Sequence, residues 1–144
     1  MANVSFPSLN SLHLHNNRLT DLRELANANL PNLTYLNLAS NGLTNLIGLA
    51  NATLPNLTQL NLEHNQISDI SSLANLDNLT SLTYLYLNNN QIKDISPLAN
   101  LNNLKTLYLA YNQIDDIGPL ANLTNLTTEL SNYVTTELPS YLTT

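Results

Sequence analysis

Hydrophobic and polar positions recur along the chain in a pattern that fits neither a helical stripe nor a simple alternating strand. The clearest copy spans residues 104–120, LKTLYLAYNQIDDIGPL, and contains the motif L-x-x-L-x-L-x-x-N-x-I. Leucines at i, i+3 and i+5, followed by Asn and Ile, predict a short strand at 106–109 that runs into a tight turn enclosing the Asn amide. One such unit cannot bury its own apolar face, so it requires a copy on each side.

The chain supplies these copies. Aligned on their first Leu, five full units begin at residues 9, 33, 57, 82 and 104. The spacing varies because the stretches that lead back to the next strand carry extra residues: LANANLPNL at 25–33, LANATLPNL at 49–57 and LANLDNLTSL at 73–82, against PLANLTNL at 119–126. No insertion falls within a strand. A solenoid with an underlying 22-residue repeat is therefore predicted over residues 1–126.

Each unit predicts a strand on an inner, concave face and a connecting segment on an outer, convex face. Pro97 and Pro119 suit the first turn of a short helical or 3₁₀ segment, where the N–H that Pro lacks has no partner in any case. The units that lack Pro predict short helical segments or loops at the same place.

Residues 1–8 are in phase with residues 25–32, so Phe6 occupies the position of Leu30. The first unit is therefore expected to lie at an open end of the stack, which exposes the edges of Leu12, Leu14, Leu22 and Leu25. Solenoids usually need polar terminal caps. Three readings stay open: a fragment of a longer array, an engineered piece of one, or an open end that binds a partner.

The repeat pattern fails after Leu126. Glu129 takes a core position, and a new period of eight appears as TTELSNYV at 127–134 and TTELPSYL at 135–142. We expect residues 127–144 to form a divergent C-terminal cap or tail.

The segments NQISDISSLANL (65–76), NQIKDISPLANL (90–101) and NQIDDIGPLANLTNL (112–126) resemble the leucine-rich-repeat family, in particular its 22-residue, bacterial internalin-like class. The resemblance implies an α/β-type leucine-rich-repeat solenoid that recognises proteins or glycans through its concave face. It also implies an extracellular or cell-surface location. The chain departs from the family because no helical cap precedes the repeats, no secretion signal follows Met1, and residues 138–141 do not form an LPxTG anchor.

One polar residue recurs in every turn, and we expect its amide to satisfy buried backbone groups as a structural asparagine ladder. Its members are Asn17, Asn41, Asn65, Asn90 and Asn112. A second polar column suggests either a calcium site or a set of side-chain bonds to the backbone two residues on. The second interpretation is favoured because Asn45 takes one of its positions and no D-x-D-x-D-G loop exists. The other members are Asp21, Asp69, Asp94 and Asp116.

Positions three, five and seven of each unit point out of the concave face and vary between units, so this is where binding specificity is expected. Tyrosines gather there on neighbouring strands, and Tyr is enriched at binding hot spots. The alternative is a tyrosine ladder that only stabilises the sheet. The candidate binding residues are Tyr35, Tyr84, Tyr86, Tyr108, Tyr111, His13, His15, His64 and Glu63. His13 and His15 share a face, but two ligands do not make a closed zinc site, so we expect no metal.

The composition excludes several functions. A net charge of -6 with four Lys and Arg residues gives no basic surface for nucleic acid or anionic membrane. No apolar run is long enough to span a bilayer. The sequence contains no G-x-S-x-G, H-E-x-x-H or P-loop motif. With no Cys it has no disulfide. We expect no enzyme activity and no cofactor.

Two hypotheses follow. In the first, the chain is a binding module that recognises a protein or glycan through the concave face. In the second, it is a structural protein that associates head to tail through open solenoid ends into a filament, because heterologous contacts that do not close produce filaments.

Overall fold

The computed structural model describes residues 4–75 and 81–127, which form a stack of short repeats. The strands are β1 (Val4–Ser5), β2 (Ser11–His13), β3 (Ala28–Asn29), β4 (Tyr35–Asn37), β5 (Gln59–Asn61), β6 (Tyr84–Tyr86) and β7 (Thr106–Tyr108). The helical segments are α1 (Ile47–Ala50) and the 3₁₀ helices Arg23–Asn27, Ser71–Asn75, Ser96–Leu98 and Gly118–Asn122. Apart from Thr127, the predicted cap or tail at 127–144 lies outside the described residues.

Five strands form one parallel sheet in the order β2-β4-β5-β6-β7. Each strand pairs with the strand of the next repeat, and the register follows the sequence alignment: Leu12 pairs with Leu36, Leu36 with Leu60, Leu60 with Leu85, and Leu85 with Leu107. The predicted α/β-type leucine-rich-repeat solenoid is confirmed.

The three-residue strands alternate between the core and the solvent. In β4 the central Leu36 is fully buried, whereas Tyr35 and Asn37 are half-buried on the other side of the sheet. The same arrangement recurs in β5, β6 and β7. Alternation thus places the leucines in one continuous core and leaves one outward face of the sheet, which we call the concave face, to the variable residues.

The convex segments are helical, as predicted. Pro97 and Pro119 lie in the first turns of their 3₁₀ helices. In the second repeat the segment is the single α-helical turn α1, and its Gly48 is buried against Leu22 of the repeat before. Within the described residues, no helix is both long and apolar enough to cross a bilayer.

A second, smaller ladder was not predicted. β1 pairs in parallel with β3 through Val4–Ala28 and Ser5–Asn29, and an isolated bridge continues it from Asn29 to Thr53. Ala28, Asn29 and Thr53 lie in the stretches of the first two units that carry the extra residues, and Val4 and Ser5 lie in the segment that is in phase with the first of these stretches. The insertions therefore give the chain enough length to form backbone bonds between neighbouring repeats before it returns to the main sheet.

The first repeat is less buried than the others, as expected, with one correction. Leu12, Leu14 and Leu25 are only partly buried, and Phe6 is 50% exposed. Leu22, however, is buried, because α1 of the next repeat lies against it.

Candidate functional site

The concave face carries two aromatic groups with an amide-rich centre between them. His13 and Tyr35 lie on β2 and β4, while Tyr84 and Tyr86 lie on β6 and Tyr108 on β7. The intervening strand β5 presents Gln59 and Asn61. The structure therefore does not gather all the tyrosines: Tyr35 stands two strands away from β6.

Tyr86 and Tyr108 occupy paired positions on adjacent strands, and their rings stack with centroids 5.3 Å apart and planes 10° from parallel. Partial burial raises the pKa of Tyr86, and the neighbouring Tyr108 and Glu63 raise it further. The phenol therefore remains neutral at physiological pH. The pair presents a broad aromatic surface with hydroxyl groups.

On the other side of the face, the ring of His13 stands edge-on to that of Tyr35 at 5.2 Å. Its Nε2 also lies 2.9 Å from the Ser11 hydroxyl. The His15 ring is 6.1 Å from that of His13 and is exposed. In the described part of the chain, no three His, Asp or Glu side chains are placed to hold a metal ion.

The centre of the concave face holds a carboxylate bound by amides. Glu63 accepts a hydrogen bond from the Asn88 side chain at 2.8 Å through Oε1 and one from the Asn61 side chain at 3.2 Å through Oε2. Asn61 takes the fifth position of the third unit, which alternation predicts to point outward, but its side chain is not free in solvent. Asn61 is half-buried and also accepts the backbone N–H of Glu63 at 3.0 Å. Its spacing to Glu63, N-x-E, was the signal that could have revealed the pair.

His64 and Tyr111 lie beside the concave face rather than on a strand. Both have a left-handed backbone, with φ of 53° and 58°, and both are exposed, Tyr111 by 80%. Asn16, Ser40 and Asn89 take the same conformation in the other repeats. Asn tolerates this region better than Tyr or a branched residue does, so Tyr111 is held in an unfavourable conformation with its ring in solvent.

The turn asparagines form hydrogen bonds within and between repeats. The amide nitrogen of Asn65 donates to the carbonyl oxygens of Leu62 at 3.0 Å, Glu63 at 3.2 Å and Leu38 of the preceding repeat at 3.1 Å. Its side-chain oxygen accepts the Leu43 N–H at 3.1 Å. Asn41, Asn90 and Asn112 bond in the same way.

Asn17 occupies the same position in the first repeat but donates only within its own turn, to Leu14 and His15. It is exposed, whereas Asn65 and Asn90 are each 8% exposed. The described ladder therefore ends at Asn17.

The second polar column makes the backbone bonds favoured from the sequence. Each side-chain oxygen accepts the N–H two residues on, at 2.8 to 3.2 Å, in Asp21, Asn45, Asp69, Asp94 and Asp116. Hydrogen bonds from Ser71 lower the pKa of Asp69, and those from Ser96 lower the pKa of Asp94. Since Asn45 makes the same bond without a charge, this column needs acceptors at the start of each convex segment rather than a cation.

Family comparisons agree with this architecture. Profiles described as "Leucine Rich repeats (2 copies)" match residues 55–100, 80–122 and 102–131, and one described as "Leucine rich repeat" matches residues 7–67. The comparison with curated protein sequences gave no significant match.

Several solved structures are similar to this chain in both sequence and fold. The chain is 39% identical to internalin inlF of Listeria monocytogenes, with a TM-score of 0.72 over 82% of this chain and 33% of that one. It is 45% identical to internalin C2 of the same organism, with a TM-score of 0.73 over 83% of this chain and 50% of the other. A plant peptide hormone receptor, RGFR1 in complex with RGF2, is 30% identical with a TM-score of 0.62, over 82% of this chain and 19% of the receptor. The chain thus spans half or less of the length of these proteins.

Proposed function

Because the chain belongs to the leucine-rich-repeat family and is of the internalin-like type, we propose that it is a protein-binding module whose concave face carries the binding site. Leucine-rich-repeat proteins generally serve as protein-binding modules, and the RGFR1 structure is a complex with RGF2. We infer that this chain has no enzyme activity of its own.

The observation that carries the proposal is the stacked pair of Tyr86 and Tyr108 on neighbouring strands. Tyr brings a large amphipathic contact area at a small loss of side-chain entropy, which is why it is common at hot spots. The pair is half-buried, so much of its position is already fixed before a partner arrives. Tyr84 and the exposed ring of Tyr111 extend the aromatic surface on the same side.

We expect Tyr86→Ala and Tyr108→Ala each to weaken binding by more than about 1 kcal/mol. Peptides and small protein domains selected by display on the wild-type chain provide the binders, and affinities are measured by calorimetry. The stacked pair also contributes about 0.5–1.5 kcal/mol to stability, so binding must be measured well below the melting transition of each variant.

Ile47→Ala is the matched control, because Ile47 is 58% exposed on α1, away from the sheet. It should leave affinity unchanged. Binders that tolerate both Tyr substitutions but lose affinity with Ile47→Ala would move the site to the convex side. A glycan array probed with the same variants decides whether the tyrosines bind sugar rings instead of protein.

A second candidate function is association between copies through the repeat ends. The observation that favours it is the partial exposure of Leu9, Leu12, Leu14 and Leu19 at the first-repeat end, where the equivalent leucines of the second repeat are fully buried. Such an edge favours burial against a second copy, at about 25 cal/mol per Å².

We expect sedimentation coefficients that rise with concentration for this chain, and a change of oligomeric state when residues 127–144 are deleted. A single species that stays monomeric at all concentrations, with or without the deletion, excludes end-to-end association and leaves the binding module.

A further inference from the structure

Glu63 places a negative charge at the centre of the concave face. It lies at the seventh position of the third repeat, and Asn88 takes the same position in the fourth. The corresponding residues of the second and fifth repeats are Ala39 and Ala110, so short side chains flank the pair of Glu63 and Asn88. The carboxylate is half-buried and therefore still within reach of a partner.

The two amides that bind Glu63 have fixed orientations. The side-chain oxygen of Asn61 accepts the Glu63 N–H at 3.0 Å, and that of Asn88 accepts the Ala110 N–H at 2.8 Å. Because each amide oxygen already has its donor, the NH₂ groups must point at the carboxylate. Glu63 is consequently held in one place without a cation, and its charge is not neutralised.

Glu63 forms no ion pair with any of the described residues. The carboxylate of Asp21, by contrast, is paired with Arg23 at 2.8 Å. The aromatic pair begins beside the amides that bind the carboxylate, because Tyr86 pairs in register with Asn61 and lies two residues before Asn88. The net charge of -6 also attracts basic partners over longer distances.

We propose that Glu63, with the adjacent face of Tyr86, forms a subsite for an arginine side chain of a protein partner. A guanidinium group donates in a planar fork to both oxygens of a carboxylate and stacks on an aromatic ring. The fixed carboxylate beside a tyrosine pair matches both properties. Lysine fits less well, since its ammonium is a compact charge without a planar face. This inference rests on the proposed binding function and names the chemistry that the concave face selects.

The test is a selection of random peptides displayed on phage against the wild-type chain, Glu63→Gln and Glu63→Lys. Wild-type binders should share an Arg at one fixed position relative to their apolar residues. Glu63→Gln should lose that preference, and Glu63→Lys should select Asp or Glu at the same position. Glu24→Gln is the matched control, because it removes one exposed carboxylate from the 3₁₀ helix Arg23–Asn27, away from the sheet. It should select the same peptides as the wild type.

A double-mutant cycle then measures the pair directly, using the best selected peptide and its Arg-to-Gln version. On the wild-type chain the peptide substitution should lower affinity about tenfold or more. On Glu63→Gln the two peptides should bind almost equally. Additive losses, or a positional Arg that Glu63→Gln retains, overturn the arginine subsite.

The same peptides separate this inference from the function on which it rests. Peptides that need Tyr108 but show no coupling to Glu63 overturn the subsite alone. Peptides indifferent to both Tyr86→Ala and Tyr108→Ala, or a selection without any binder, count against the concave-face function as well.

Discussion

Replacing Gly48 with Ala is expected to lower the free energy of unfolding by about 3 kcal/mol. A Cβ at this position would lie 1.9 Å from the carbonyl oxygen of Leu22, 2.1 Å from its carbonyl carbon and 2.7 Å from its Cβ. Two of these atoms belong to the backbone of the preceding repeat, so no rotamer change can relieve the overlap. The repeats would have to move apart, which would open the core around Leu22.

Gly42→Ala is the matched control. A Cβ there would meet its nearest atoms, Leu19 O and Thr20 Cγ2, at 3.5 and 3.6 Å, which is ordinary van der Waals contact. Neither glycine has a positive φ, so the comparison isolates the effect of space. Urea unfolding should show Gly42→Ala within about 0.5 kcal/mol of the wild type. Equal losses for the two variants would mean that α1 does not pack as closely on Leu22 as the structure has it.

The register of the sheet could be predicted because every repeat contains the same spacing of leucines. Leucines such as Leu36, Leu60 and Leu85 recur at the repeat spacing and pair at that spacing. A shift by one residue would turn the buried leucines to solvent, and this loss of burial determines the register.

The role of Gly48 could not be predicted from the sequence. The equivalent residues are Glu24 and Ser72 in the neighbouring repeats and Pro97 further on, so nothing in the repeat pattern calls for a glycine there. The segment forms an α-helical turn in this repeat and a 3₁₀ helix in the others, and the close contact of Gly48 with Leu22 is visible only in the packed structure. That difference depends on packing between repeats.

In the candidate site, too, some features could be predicted from the sequence and others could not. Alternation predicts which residues face outward, and it places Tyr86 and Tyr108 side by side. The ring stacking and the bond from Asn88 to Glu63 depend on side-chain distances between repeats, which spacing alone does not supply. The left-handed backbone of Tyr111 depends on the conformation of its turn. Alternation assigns Asn61 only an outward position, whereas the structure shows that its side chain helps to hold Glu63.

Asn65→Ala is expected to destabilise the chain by about 1–3 kcal/mol. The substitution removes both bonds that cross to the second repeat, from the side-chain nitrogen to Leu38 O and from Leu43 N–H to the side-chain oxygen. Because Asn65 is 8% exposed, water cannot easily replace these bonds. Asn17→Ala, at the exposed end of the same column, removes bonds only to its own turn. It should cost less than about 0.5 kcal/mol.

The urea dependence of unfolding shows what kind of stability is lost. Solenoid stability is approximately the sum of terms for single repeats and terms for interfaces between neighbours. If Asn65 acts mainly through the interface between the second and third repeats, its removal should weaken coupling between them and lower the apparent m-value as well as the midpoint, because the two sides then unfold less cooperatively. A lower midpoint at constant m-value would indicate a loss confined to the turn. Equal midpoints for Asn65→Ala and Asn17→Ala would contradict the inter-repeat role of the ladder, since the two residues differ mainly in the bonds that reach the preceding repeat.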